Sequence, residues 1–226
     1  NLQIIEKNAF YYSNIREIYF PKSLIELKEK WCNGFDELTK IIISPLNDKF
    51  KLEKNKYLVG KTKDNNDQFD KLLFVPRDIK EISVPLNIKI FSSYSFSNLN
   101  IKEIFIPSSV TKICDYAFNH CVNLTKVEIP TNSNLQIIGK NAFSCSSIKE
   151  IFIPSSVTKI CEYAFSNCEK LTKAEIPANS NLLIIEEFAF HKSNLKQLSI
   201  PSSLIKINKF VFADCFRFQI LEIPEE

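Results

Sequence analysis

Short apolar alternations closed by proline punctuate the chain from end to end. In one of them Ile104 and Ile106 fall on one side and Glu103 and Phe105 on the other, the period-2 pattern of a half-buried strand. Pro107 ends the run, because proline has no N–H to give to a ladder. Val110, Ile113 and the Ala117-Phe118 pair follow at roughly helical spacing, which predicts one or two helical turns. Cys121 and Leu124 then lead into the next alternation.

The pattern recurs. "IKEIFIPSSVTKICDYAF" (Ile101 to Phe118) returns as "IKEIFIPSSVTKICEYAF" (Ile148 to Phe165), changed only from Asp115 to Glu162. Residues 101–147 and 148–194 share 33 identities in 47 positions. Nine of the ten prolines mark one rung each: Pro21, Pro45, Pro85, Pro107, Pro130, Pro154, Pro177, Pro201 and Pro224. From Pro107 onward the steps are 23, 24, 23, 24 and 23 residues. Two modules alternate, IP-S-S-V-x-K-I-C-x-Y-A-F and IP-x-N-S-N-L-x-I-I-x-x-x-A-F. One such unit cannot bury its apolar face alone, whereas stacked copies can, so the pattern predicts an α/β solenoid. At about 4.8 Å per strand, nine rungs make a body roughly 40 Å long. Residues 1–226 read as one such solenoid. The opening "NLQIIEKNAF" matches "NLQIIGKNAF" (Asn134 to Phe143), so the chain starts inside a repeat and reads as a fragment.

The interior column is predicted to be aromatic: Phe10, Phe96, Phe118, Phe143, Phe165, Phe190 and Phe212. In the second module the pair is exchanged. Cys32 takes the Phe118 position and Phe35 the Cys121 position, keeping summed volume, which packing tolerates and chemistry at a fixed cysteine would not.

Composition narrows the function classes. The chain has 226 residues, 45% hydrophobic and 24% charged, with net charge +3 and both signs interspersed. That gives no basic footprint for nucleic acid or an anionic membrane surface. No run approaches the ~18 apolar residues of a membrane span, so any membrane link lies in parts outside this sequence. Seven cysteines raise a thiol or metal reading. Cys121, Cys168 and Cys215 occupy one station of alternate rungs, about 10 Å apart by strand spacing and too far for a disulfide. Cys114 and Cys161 form a second such pair. There is no C-x-x-C and no histidine cluster with ligand spacing, so buried small-hydrophobe cysteines are expected, with no metal and no cofactor. His120 and His191 align with Asn167 and Ser144, so the repeat demands neither. His120 adjoins Cys121, which should point inward. No phosphate loop, nucleophile elbow or HExxH occurs, and the chain reads as a non-enzyme. Asn123-Leu124-Thr125 is the single glycosylation sequon.

The phrase F-x-x-C-x-x-L-x-x-I-x-I-P-S-S-V-x-x-I-x-x-x-A-F is carried by Phe118, Cys121, Leu124, Ile129, Pro130 and their copies, and by Ser108-Ser109 and Ser155-Ser156. It resembles the BspA-like class of leucine-rich repeats, surface proteins of mucosal protists and bacteria. The resemblance implies a leucine-rich repeat solenoid with a parallel sheet on its concave face and short helices or turns on the convex side. It also implies adhesion to host matrix protein. The pattern lapses between Pro45 and Pro85, an interval of 40 residues, about 17 more than one module. Residues 48–76 read as an inserted β-hairpin joining Tyr57-Leu58-Val59 to Leu72-Leu73-Phe74-Val75 through a mobile tip at residues 63–67. It serves either to patch an irregular rung or as a binding loop.

On the concave sheet the outward positions form two columns. The first runs Glu17, Lys40, Glu81, Glu103, Lys126, Glu150, Lys173, Gln197 and Ile220, and between Glu103 and Lys173 its charges alternate in sign. The second runs Tyr19, Ile42, Ser83, Phe105, Glu128, Phe152, Glu175, Ser199 and Glu222. The candidate partner surface is Tyr19, Ile42, Phe105, Phe152, Glu128, Glu175, Lys126 and Lys173, in which solvated aromatics act as anchors within a charged rim. The columns equally allow plain sheet stabilisation and inheritance by duplication. Two functions are therefore carried forward. One is a cell-surface or secreted adhesion module for a host or matrix protein. The other is an intracellular scaffold or regulatory repeat domain of a larger protein.

Overall fold

The structure is a computed structural model that describes residues 1–54, 56–62 and 68–224. The chain winds as a parallel β-solenoid of about nine turns. No helix occurs among the described residues.

Each regular turn contributes two short strands. A first sheet is built from the runs that precede each proline: Glu103–Phe105, Lys126–Glu128, Glu150–Phe152 and Lys173–Glu175 stack in parallel and in register. A second sheet stacks Ile90–Phe91, Lys112–Ile113, Ile137–Ile138, Lys159–Ile160, Ile184–Ile185 and Lys206–Ile207. The proline motif makes the corner between the sheets. The Val110 N–H closes a turn on the Pro107 carbonyl at 3.0 Å. In one module the second serine ties this corner to the rung before it, with Ser109 Oγ donating to Ile88 O at 2.7 Å and Ser156 Oγ to Leu135 O at 2.8 Å. In the other module the serine braces its own corner, and Ser133 Oγ accepts from the Leu135 N–H at 3.2 Å.

The expected helical turns are replaced by a third side of tight turns, for a specific reason. Two residues per rung, four apart, take left-handed backbone: Tyr94 and Asn98, Tyr116 and His120, Tyr163 and Asn167, Phe210 and Asp214. A right-handed helix cannot pass through them. The conformation turns the N–H groups of Tyr116, Phe118 and His120 toward the next rung, where Lys140, Ala142 and Ser144 carbonyls accept at 2.8, 2.7 and 2.9 Å. Backbone polar groups are thus satisfied between rungs on all three sides.

Inside, Phe96, Phe118, Phe143, Phe165, Phe190 and Phe212 stack face to face, with centroid spacings of 4.5 to 6.0 Å. Phe10 does not join this column. It stacks on Phe35 at 5.1 Å in a second core with Phe20, Trp31 and Phe74. The exchange of Cys32 and Phe35 leaves both fully buried.

The two cores are separated by the irregular segment. Phe50–Glu53 pairs antiparallel with Tyr57–Gly60, and Tyr57–Gly60 pairs antiparallel with Lys71–Phe74. Lys71–Phe74 then pairs parallel with Ile90–Phe91, so the insertion extends the second sheet. Tyr57, Val59 and Leu72 pack into the main core, and Leu58, Leu73 and Phe74 into the N-terminal one. These strands form a wall between the cores. The tip at residues 63–67 lies outside the described residues. The wall also takes over the next rung's ladder. The Ser83 N–H donates to the Tyr57 hydroxyl at 3.1 Å, and residues 81–84 form no strand.

Candidate functional site

The first sheet presents alternate side chains to solvent because its strands keep period 2. Ile104, Val127, Ile151 and Ala174 point into the core, all 8% exposed or less. Glu103, Phe105, Lys126, Glu128, Glu150, Lys173 and Glu175 point out. The register sets Phe105 beside Glu128 and Phe152 beside Glu175, with Lys126 beside Glu103 and Glu150. Six of the eight sequence-derived candidates, Phe105, Lys126, Glu128, Phe152, Lys173 and Glu175, therefore share one four-stranded surface. Tyr19 and Ile42 are neighbours in a separate two-stranded sheet, Glu17–Phe20 with Lys40–Ile43. The strandless segment at Glu81 to Val84 lies between the two groups in the chain.

The two phenylalanines differ. Phe105 is 47% exposed, on the outermost strand of its sheet. Phe152 has a bonded strand on each side and is half-buried, where the sequence suggests a fully solvated ring. The charges also pair differently from a purely cross-rung scheme. Lys126 contacts Glu128 and Lys173 contacts Glu175 (3.1 Å), each along its own strand. Those hydrogen bonds hold both ammonium groups above the usual lysine range, with Glu103 and Glu150 adding to the effect across the sheet. Lys40 and Glu17 do pair across rungs, at 3.0 Å. Beyond Lys173–Glu175 the ladder lapses before Gln197–Ser199, and an open recess of about 200 Å³ lies there.

The cysteines serve the stack. Cys121, Cys168 and Cys215 donate from Sγ to the carbonyls of Phe96, Phe143 and Phe190, at 3.0, 3.1 and 3.0 Å. Each thus ties its rung to the Phe of the preceding one. All seven are free thiols. Burial pushes Cys32, Cys121 and Cys168 up to about 12, and Cys114 and Cys161 up to about 11. A thiol that stays protonated is a poor nucleophile and a poor ligand. At pH 8, Ellman's reagent is expected to find no more than Cys145 and Cys161 in the native protein and all seven thiols after denaturation. Rapid reaction of three or more native thiols would contradict this inward placement.

One arrangement was not visible in the sequence. His191 Nδ1 lies 3.1 Å from Ser166 Oγ, and its Nε2 lies 3.2 Å from Asp214 Oδ2. The three residues come from three successive rungs. Ser166 is 1% exposed, and its oxygen also accepts from Asn167 Nδ2 at 3.1 Å. This histidine braces the stack and presents no reachable nucleophile. His120 points outward while Cys121 beside it is fully buried, so these two do not form a pair. Among the described residues no cluster of three or more His, Cys, Asp or Glu could hold a metal ion.

Comparison with known proteins bears on this face. The family model for the BspA type leucine rich repeat region matches in six copies, over residues 1–55, 68–183 and 174–226. Among curated proteins there is no match. The chain is similar to several solved structures, among them these three. One is a leucine-rich repeat protein from Eubacterium ventriosum (TM-score 0.70, 25% identity, covering 99% of this chain and 63% of that one). Another is a leucine-rich repeat protein from Bacteroides ovatus (0.62, 26%, 99% and 55%). The third is a leucine rich cell surface protein from Faecalibacterium prausnitzii (0.69, 22%, 100% and 52%). This chain therefore spans less than two thirds of each of them.

Proposed function

Because the chain belongs to the BspA-type leucine rich repeat family, we propose that it is a protein-binding module of a surface or secreted protein. Its first sheet, taken as the concave face, docks a host or matrix protein. The observation that carries this reading is Phe105, a large aromatic left 47% exposed on a sheet face, with Glu128 beside it and Lys126 on the neighbouring strand. Aromatic anchors inside a charged rim are the usual energetic centre of a protein interface. The Faecalibacterium neighbour, described as a cell surface protein, supports the location. No cofactor enters this reading, and the partner is a protein rather than nucleic acid.

The seven free thiols favour the second reading, an intracellular scaffold, since reducing compartments keep cysteines unpaired. The burial of five of them offsets that argument, because thiols held inside the stack resist oxidation in either location.

The test is binding of the purified chain to immobilised extracellular-matrix proteins, with Phe105→Ala as the variant. Its melting should stay within about 0.5 kcal/mol of the parent, as for an exposed substitution, while binding falls at least tenfold. Unchanged binding would remove this face from the account. A large loss of stability would place Phe105 in the core.

A further inference from the structure

Among the described residues the second sheet is interrupted between Glu26–Leu27 and the inserted wall, and a cleft opens there. Glu26–Leu27 pairs with Ile4–Ile5 on one edge and with no strand on the other. Between that segment and the inserted wall lies an open cleft of about 390 Å³. Phe50 and Leu73 supply apolar lining, and Lys49, Lys61 and Lys71 supply charge. Glu26 in the cleft is already held by Lys28 at 2.7 Å. Leu27, Lys71 and Leu73 also line an adjoining recess with room for about 10 Å³, enough for one water-sized atom. The recess adds one more acid, Glu29, against three lysines, Lys28, Lys30 and Lys71.

That recess is lined by Trp31 and Ser92, only 2% and 8% exposed. Trp31 Nε1 and Ser92 Oγ have no hydrogen-bond partner among the described residues. Buried polar atoms are rarely left so, because each forfeits its bond to water. The indole N–H can only donate, and the serine hydroxyl is free to donate. Two unpartnered donors on residues that line one recess with Lys71 are groups that an anion's oxygens can satisfy, and charge-assisted bonds of this kind are the strong ones.

We propose that this cleft is a carboxylate site for an extended peptide. One carboxylate oxygen enters the recess against Trp31 Nε1 and Ser92 Oγ. The Lys71 ammonium neutralises the group, and the flanking residues lie in the cleft against Phe50 and Leu73. The site is distinct from the first-sheet face and does not depend on it.

Trp31 is the chain's single tryptophan, so its indole N–H gives one proton resonance and its fluorescence one signal. Three capped tripeptides and inorganic phosphate serve as probes: acetyl-Leu-Glu-Leu-amide, acetyl-Leu-Gln-Leu with a free C-terminus, and acetyl-Leu-Gln-Leu-amide. A saturable downfield shift of the indole resonance is expected with at least one carboxylate peptide, and which one responds identifies a side-chain or a terminal carboxylate. The neutral peptide should give none, and phosphate less than a tenth of the effect. Lys71→Gln should weaken the response at least tenfold, Lys71→Arg should restore most of it, and Phe105→Ala should leave it unchanged. No saturable shift, an equal response to the neutral peptide or to phosphate, or full retention in folded Lys71→Gln would each overturn the proposal.

Discussion

Replacing Phe165 with alanine is expected to cost about 3–5 kcal/mol, the range for truncating a fully buried phenylalanine. For a chain of this length that corresponds to a fall in melting temperature of roughly 6–20 °C. The ring is 0% exposed and lies flat between Phe143 at 5.4 Å and Phe190 at 5.3 Å, with interplanar angles of 1° and 7°. Truncation therefore leaves a cavity at two rung interfaces at once. In a solenoid those nearest-neighbour interfaces hold most of the stability, with no distant contacts to compensate. The lost stacking adds to the lost burial. Phe210→Ala is the matched control, because that ring is 57% exposed on the turn side of the stack, and its effect should stay below about 1 kcal/mol. A loss under about 1 kcal/mol for Phe165→Ala would show that the aromatic column is not the interior.

Arg77→Met is expected to cost a comparable amount, about 3–5 kcal/mol, and also to change the shape of the unfolding transition. The Arg77 guanidinium donates to Phe35 O at 2.8 Å, Tyr94 O at 3.1 Å, Val75 O at 3.3 Å and Ser95 O at 3.4 Å. It also lies 4.4 Å from the centre of the Phe74 ring. Phe35 and Phe74 belong to the N-terminal core, and Tyr94 and Ser95 to the turn that carries Phe96 of the main column. One side chain thus clips the two cores together through their carbonyls. Burial pulls its pKa down, from an ordinary value so high that arginine is the side chain suited to carry a buried charge. Methionine keeps an unbranched apolar stem but is shorter than arginine, and it leaves those carbonyls without their donor. Denaturant unfolding should then separate into two steps, with Trp31 fluorescence reporting the N-terminal core first. A single transition at the parent midpoint would mean the clip contributes nothing.

Much of this architecture was legible in the sequence because a solenoid repeats its reasons. Ile104 and Ile106 alternate with Glu103 and Phe105 in the letters as they do in space, and the proline after them falls at the corner. The Phe118 to Phe165 column was readable because one residue type returned at one station. The third side was misread as helical because its deciding feature is backbone, not hydrophobicity. Tyr116 and His120 take left-handed φ without glycine, so no letter announces the turn. A partial signal was present, since Asn98, His120, Asn167 and Asp214 are residue types that tolerate that region. The break was hidden for a different reason. Glu81 to Val84 reads like any other strand, but the inserted wall claims the Ser83 N–H through Tyr57. Long-range substitution of this kind leaves no local trace. The lysine cleft lies at a second interruption, between Glu26–Leu27 and the inserted wall, and was equally invisible, as was the His191 brace, whose partners stand 25 and 23 residues away.

The central claim is that rungs stack in order, one strand spacing at a time. Spin labels on the outward first-sheet positions test it directly by pulsed dipolar distance measurement. At about 4.8 Å per rung, backbone separations should be roughly 14 Å for Lys126 with Gln197, three rungs apart, and roughly 24 Å for Glu103 with Ile220, five rungs apart. Label distances that grow in step with rung number would agree with the stack. A Glu103–Ile220 distance equal to or shorter than the Lys126–Gln197 distance would contradict it.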